Sequence, residues 1–233
     1  MKKKTTQQSN KTALILFSGG QDSTTCLYWA IAKFKKVVAL GFDYGQRHSN
    51  ELNVAKSLTQ SAGVEFIVLK LPLLNELTDN ALTRKDVTPD AVSGKEYGPA
   101  KNEQVIPNTL VEGRNMLFLT YAAIYAKNKG ITDLVAGVSE ADNSGYSDCR
   151  EDFIKSLETT LSLSNNYPYK IHTPLMWLDK ATVWKLAADL KIIDIIKNKT
   201  ITCYNGIIAD GCGNCKACNL RTVGYKNYLK SLT

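Results

Sequence analysis

The chain has 233 residues, 44% hydrophobic and 22% charged, which excludes a disordered protein and fits one large domain or a domain with a small appendage. Its net charge is +7, but Lys2, Lys3, Lys4 and Lys11 supply +4 of that with no acid among residues 1–11, so the rest carries only +3. No apolar run is long enough to span a bilayer, and no apolar stretch follows Lys2 to Lys4 as in a secretory leader, so a cytoplasmic protein without a membrane partner is expected.

Residues 1–11, MKKKTTQQSNK, read as a disordered polar tail, either a solvated leader or an RNA-contacting arm. An apolar strand is expected over 12–17, then the turn Ser18-Gly19-Gly20-Gln21-Asp22-Ser23-Thr24, then a helix over 23–34. Two glycines let backbone N–H groups close on an anion, the hydroxyls add donors, and the helix points its positive end at the same place. The alternative is a Ser/Gly turn with Asp22 and Ser23 as helix caps. A β-branched strand follows over 37–43, broken by Gly45, then a helix over 49–62 and a strand over 64–71 closed by Pro72. Residues 73–113 hold Pro89, Gly94, Gly98, Pro99, Pro107 and Gly113 without a clean period, which reads as a lid beside a site or a passive insertion. Leu117, Tyr121, Ile124 and Tyr125 give helical spacing to 114–129; a strand over 134–138 and a helix over 150–162 follow. Strands alternating with helices imply an α/β fold with a parallel sheet and helices on both faces. Ligands then collect at the carboxyl ends of the strands, where the Ser-Gly turn, Asp43-Tyr44-Gly45 and the loop after Val138 fall.

The turn is not a Walker loop, because no Lys follows Gly20 and Asp22 stands where a cation is needed. Ser-Gly-Gly-x-Asp-Ser resembles the PP-loop of the ATP pyrophosphatases. That resemblance implies ATP cleaved between its α- and β-phosphates, with Asp22 serving Mg²⁺ or the helix start.

Four of six cysteines, Cys203, Cys212, Cys215 and Cys218, are spaced C-x8-C-x2-C-x2-C, with Gly206, Gly211 and Gly213 permitting a tight knuckle. In a cytoplasmic chain this spacing suits one structural Zn²⁺ held by four thiolates. An iron–sulfur cluster competes, although Asn219-Leu220-Arg221 follow Cys218 where the bacterial ferredoxin run needs another cysteine. Cys26 and Cys149 read as small buried fillers, and His48 and His172 are too few for a metal site.

Several charged residues are candidates for the chemistry. Lys180 follows the N-cap candidate Asp179 and suits a leaving pyrophosphate, or is a solvated helix-start lysine. Arg114 opens a helix inside Val111-Glu112-Gly113-Arg114-Asn115 and suits a phosphate or carboxylate, as does Arg150; a surface arginine is the alternative. Glu140, Asp142 and Asp148 suit a guanine-like edge or Mg²⁺, or simply cap the next helix.

FSGGQDSTTCL from Phe17, FDYGQRH from Phe42, VEGRNMLFL from Val111, GVSEADNSGYSDCR from Gly137, TPLMWLDKATVWKLA from Thr173 and the cysteine tail together resemble the 7-cyano-7-deazaguanine (preQ0) synthase family. They span about residues 12–222; a Pro expected before Arg114 is missing. The resemblance implies a PP-loop ATP-binding α/β domain over 12–198 and a zinc-binding region over 199–233. It also implies adenylation of 7-carboxy-7-deazaguanine by Mg²⁺-ATP, attack by ammonia and dehydration to the nitrile, in queuosine biosynthesis. ATP falls to Phe17, Ser18, Gly19, Gly20, Gln21, Asp22, Ser23, Thr24, Thr25, Cys26 and Leu27. Catalysis falls to Asp22, Ser23, Arg114 and Lys180, and the substrate to Arg114, Asn115, Glu140, Asp142, Asp148 and Arg150. A homodimer is a further expectation, with no nucleic-acid partner. The rivals are a tRNA-thiolating or amide-forming PP-loop enzyme, and an RNA-binding zinc ribbon using Lys216, Arg221, Tyr225, Lys226 and Tyr228.

Overall fold

The first strand is apolar over its second half, Ala13–Leu16, because both its faces are covered there. In a computed structural model describing residues 8–46, 50–72, 111, 113–141 and 146–233, β1 (Ser9–Leu16) lies at the centre of a five-stranded sheet. Residues 1–7, His48, Asp142 and nearly all of the expected lid lie outside the described residues. The order is β3-β2-β1-β4-β5, all parallel, with β2 at Phe34–Asp43, β3 at Glu65–Lys70, β4 at Asp133–Val135 and β5 at Lys170–His172. In register, Leu14 pairs with Val38 on one side and Leu134 on the other.

Alternation along the strands divides the core. Ala13, Ile15, Phe17, Val37 and Ala39 face α1 (Gln21–Lys33) and α2 (Asn50–Ser61), burying Leu27, Ala30, Val54 and Leu58. Leu14, Val38, Leu40 and Phe42 face α3 (Arg114–Asn128) and α4 (Glu151–Asn165), burying Leu119, Ala123, Ile154 and Leu157. Helices thus cover both faces, as the strand–helix alternation implies. The chain passes from one face to the other around β1 and β4, which places a ligand crevice at their carboxyl ends.

Several boundaries differ from the sequence reading. β1 starts at Ser9, inside the segment read as a disordered tail, because Ser9 pairs with Phe34 and Gln8 Nε2 donates to Phe34 O at 2.7 Å. β4 stops at Val135, freeing Ala136 to Ser139 to turn into the crevice. Strand β5 and helix α6 (Ile193–Lys199) carry no expectation from the sequence; three residues and seven are too short for a period to show.

The C-terminal quarter, from Lys180 on, packs as its own layer. α5 (Lys180–Asp189) is capped by Asp179, whose side chain accepts from Thr182 N at 2.8 Å. Trp184 of α5, Ile192 just before α6, Ile196 of α6 and Tyr228 of α7 (Lys216–Lys230) form a third core cluster. α7 crosses α5 so closely at Gly224 that an added Cβ there would lie 2.5 Å from Lys180 Cβ.

Candidate active site

A cavity of about 370 Å³ opens at the carboxyl ends of β1, β2 and β4, within the range of small-ligand sites. Its floor is the Ser-Gly turn. Gly19 has φ +80°, and a Cβ on it would lie 3.0 Å from Ala55 N, so only glycine lets the turn close on α2. Ser23 Oγ lies 3.1 Å from Ser18 Oγ and donates to Gly20 O at 3.2 Å, while Gly20 N donates to Ser18 Oγ at 3.4 Å. Gly20, the N-cap of α1, offers no side-chain cap, so the helix's positive end faces the cavity. Gly137 comes close from β4's side: a Cβ there would lie 3.2 Å from Ser23 N.

Not all of the expected ATP segment reaches this space. Phe17, Ser18, Gly20, Gln21, Asp22 and Ser23 line it. Thr24, Thr25, Cys26 and Leu27 are fully buried beneath, turned by the helical period into the core. Thr25 Oγ1 accordingly donates to Gln21 O at 2.9 Å.

Lys180 Nζ meets Asp22 Oδ2 at 2.7 Å, joining α5 to the turn. The other carboxylate oxygen, Asp22 Oδ1, is buried without a partner, as are Gln21 Nε2 and Thr24 Oγ1. A buried unpaired carboxylate oxygen costs about 1–3 kcal/mol or more, and a cation or donor from a ligand would satisfy it.

The opposite end is built around Arg114. Burial alone would lower its pKa, but Tyr44, Tyr146, Asp148 and Cys149 outweigh that and hold the guanidinium firmly charged. Burial pushes the Tyr44 phenol up, against the charge of Arg114 and its side-chain hydrogen bond. Burial likewise pushes Glu51, in the first turn of α2, up to about 7, against the pull of Arg114. Phe42 and Phe118 stack 4.2 Å apart at 10° along this end, a flat apolar wall beside the guanidinium.

The acidic cluster divides. Asp148 Oδ2 accepts from Asn115 N at 3.1 Å and so caps α3; Glu140 Oε2 accepts from Glu151 N at 3.0 Å and caps α4. Neither lines the cavity, and exposed Arg150 is also outside the lining, because the helix starts claim these carboxylates and turn the chain outward. Of the residues expected at the substrate, Arg114 and Asn115 line it; Asp142 is outside the described residues. Tyr44 lines it from the turn expected at this edge, and Glu51, Phe118, Tyr146, Thr202, Tyr204 and Arg221 line it without having been named as site residues. Phe118 and Tyr146 stood inside quoted segments, and Thr202, Tyr204 and Arg221 inside the cysteine tail; Glu51 stood in none of them.

The four C-terminal cysteines converge, their sulfurs all within 4.8 Å of one another, with Cys215 and Cys218 3.4 Å apart. Tetrahedral zinc at about 2.3 Å from each sulfur asks for separations of about 3.8 Å. Asn205 N donates to Cys203 Sγ at 3.3 Å, and Asn214 N and Asn205 Nδ2 donate to Cys212 Sγ at 3.5 and 3.4 Å. The Asn214 amide, against some burial and aided by Asn205, brings Cys212 down to about 6. Gly211 has φ +70°, and a Cβ there would strike Cys218 Sγ. The donor set fits a four-thiolate metal site. No helix among the described residues is long and apolar enough to cross a membrane.

Residues 12–229 match the model of the family described as queuosine biosynthesis protein QueC. Over 222 residues the chain is 52% identical to a Clostridium botulinum protein named 7-cyano-7-deazaguanine synthase, covering 94% of this chain and 98% of that protein. A Bacillus subtilis protein of the same name is 50% identical over 217 residues, covering 93% and 94%. Among solved structures, a 4-thiouridine synthetase–RNA complex with bound ATP shares the fold, with TM-score 0.50 and 14% identity over 94% of this chain and 53% of that one.

Proposed function

The chain belongs to the queuosine biosynthesis protein QueC family, and from that premise we propose that it is a 7-cyano-7-deazaguanine synthase. Its substrates in this reading are ATP, ammonia and 7-carboxy-7-deazaguanine. The observation that carries it is the floor of the cavity: a glycine-closed turn at a helix N-terminus, with Lys180 and the buried, unpartnered Asp22 Oδ1 at its side.

The Ser18–Ser23 turn takes the β/γ end of ATP, its backbone N–H groups and hydroxyls aimed at the phosphates. Asp22 is the residue that would hold Mg²⁺, which when bound neutralises phosphate charge. Arg114 holds the substrate carboxylate, with Asn115 beside it and the Phe42–Phe118 wall taking the planar ring. A carboxylate oxygen attacks the α-phosphorus, and the α–β bond breaks. The departing pyrophosphate is met by Lys180, which exchanges Asp22 for it. Ammonia adds to the acyl-adenylate and AMP leaves, giving the amide. A second adenylation, on the amide oxygen, lets the oxygen depart with another AMP and leaves the nitrile. Both oxygens of the carboxylate therefore end on AMP.

Cys203, Cys212, Cys215 and Cys218 would hold a structural Zn²⁺, closed by four thiolates and so without a place for a catalytic water. None of the six cysteines is joined in a disulfide, which suits a reducing cytoplasm. Exposed Met116, Tyr121 and Ile124 on α3 leave apolar surface for a second copy, consistent with a homodimer. Against the RNA-binding reading, Tyr228 is buried and Tyr225 packs 4.7 Å from Trp184, so the aromatic side chains of α7 are spent on the core.

The test is a mass-spectrometric assay with purified protein, Mg²⁺-ATP, ammonium and 7-carboxy-7-deazaguanine labelled with ¹⁸O in its carboxylate. Nitrile should appear with two AMP, each carrying one label. ATP binding without nitrile would sink the assignment.

A further inference from the structure

One wall of the cavity comes from the four-cysteine region. Ile201 N donates to Gly19 O at 3.0 Å, so residues 200–202 run against the phosphate turn. Behind them lies Arg221, 4% exposed, three residues after Cys218 on α7. Its Nη1 donates to Thr200 Oγ1 at 2.7 Å and Thr202 Oγ1 at 3.0 Å; its Nη2 donates to Ile196 O at 2.6 Å and Lys197 O at 3.1 Å. All four acceptors are neutral, an unusual setting for a buried cation.

The two threonines differ. Thr200 passes its hydroxyl proton to Ile196 O at 2.6 Å. Thr202 Oγ1 accepts from Arg221 and also from Gln21 N, at 3.3 Å, the first amide of α1. Neither donor can reverse roles, since a guanidinium and a peptide N–H only donate. Both lone pairs of Thr202 Oγ1 are therefore used, and its own proton has no acceptor among the described residues. Thr202 lines the cavity beside Ser18, Ser23 and Lys180.

We propose that Thr202 is a further phosphate ligand: its O–H donates to the polyphosphate end of the nucleotide, in an orientation fixed by Arg221. Arg221 acts as a positioning residue, carrying the geometry of the four-cysteine knuckle to the phosphate turn. This rests on the proposed use of ATP and adds to it a residue outside the Ser-Gly turn. It also gives the knuckle a task. Thr202 directly precedes Cys203 and Arg221 shares a helix with Cys215's and Cys218's end of the cluster, so the metal site fixes both anchors of the hydroxyl.

The experiment measures ATP and adenosine affinity by competition against a fluorescent ATP analogue, with bound metal and circular dichroism recorded for each variant. Thr202→Val should weaken ATP about tenfold, the effect of one hydrogen bond to a charged oxygen, and adenosine less than twofold. Thr202→Ser, which keeps the donor, should restore ATP affinity. If Thr202→Val does not fold, Thr202→Ala against Thr202→Ser makes the same comparison. Arg221→Lys should weaken ATP with metal retained, and the double variant should be no weaker than the worse single one, because both act through one hydroxyl. ATP affinity within twofold of wild type in Thr202→Val overturns the inference alone. Additive losses overturn the role of Arg221. A wild-type chain that binds no ATP overturns both this inference and the proposed function.

Discussion

The two walls around the phosphate turn are made in opposite ways. The first is local: residues 17–23 form floor, caps and helix start, and their hydroxyls bond within the same seven residues. The second comes from residues 180–221, separated from Gln21 by 181 positions where Thr202 reaches it, and is held by a buried guanidinium and four cysteines. A wall made of neighbours in sequence survives small disturbances, because its geometry is set by backbone conformation. A wall assembled from afar depends on whatever fixes its distant end.

Breaking that distant end should have the largest effect. Cys218→Ser removes one of four converging sulfurs and is expected to empty the metal site, lowering the unfolding midpoint by on the order of 10 °C. ATP affinity should fall with it, although Cys218 does not line the cavity. Metal lost with ATP affinity intact would show the walls to be independent.

The walls meet at the 2.7 Å pair of Lys180 and Asp22. Lys180→Met should reduce kcat by about 10² to 10³, the scale of removing one preorganised charge from a developing anion. A fall below about tenfold would reduce Lys180 to a structural tie, since an ordinary ion pair is worth about 1 kcal/mol or less.

The same contrast explains what could be read from the chain. The parallel sheet, the Ser-Gly turn and the cysteine convergence were legible, because each rests on a local pattern: apolar alternation with helices, two glycines among hydroxyls, a fixed cysteine spacing. Arg114 was legible from its place at a helix start. Glu140 and Asp148 suited substrate recognition by type, but the nearest helix N-termini claimed them, a competition that spacing alone does not decide. Thr24 to Leu27 were read as one run with the turn, whereas the helical period rotates them into the core. Thr202 and Arg221 stood in the cysteine tail with no sign of reaching the cavity, and Glu51 gave no local sign at all, because what defines them is a contact across the fold.

A smaller change can test how tightly the distant wall is held. A Cβ at Gly224 would lie 2.5 Å from Lys180 Cβ and 3.0 Å from its carbonyl carbon, so Gly224→Ala must push α7 off α5. Overpacking of this kind costs about 1–3 kcal/mol, or about 5 °C at this length. Activity should fall more than stability does, since Lys180 is the residue displaced. Equal melting and activity in Gly224→Ala would mean that α5 and α7 yield without moving the site.

The smallest expected effect concerns Glu51, where the local and distant parts of the cavity give way to the Arg114 end. Burial raises its carboxyl from 4.5 to about 7, with Arg114 pulling the other way. Below pH 4.5 folded and unfolded chains both hold the proton, and Glu51 costs nothing. Between pH 4.5 and 7 the unfolded chain releases it first, so stability falls as pH rises; above 7 the loss is complete. Glu51→Gln should remove this slope, raising the midpoint at pH 8 by on the order of 3 °C and leaving it unchanged at pH 4. The same group competes for Arg114. Once ionised, Glu51 offers the guanidinium a carboxylate of the protein's own, so KM for the carboxylate substrate should rise between pH 6 and 8 in the wild-type chain and stay flat in Glu51→Gln. Parallel pH profiles for the two proteins would separate Glu51 from Arg114 and leave its burial a matter of packing alone.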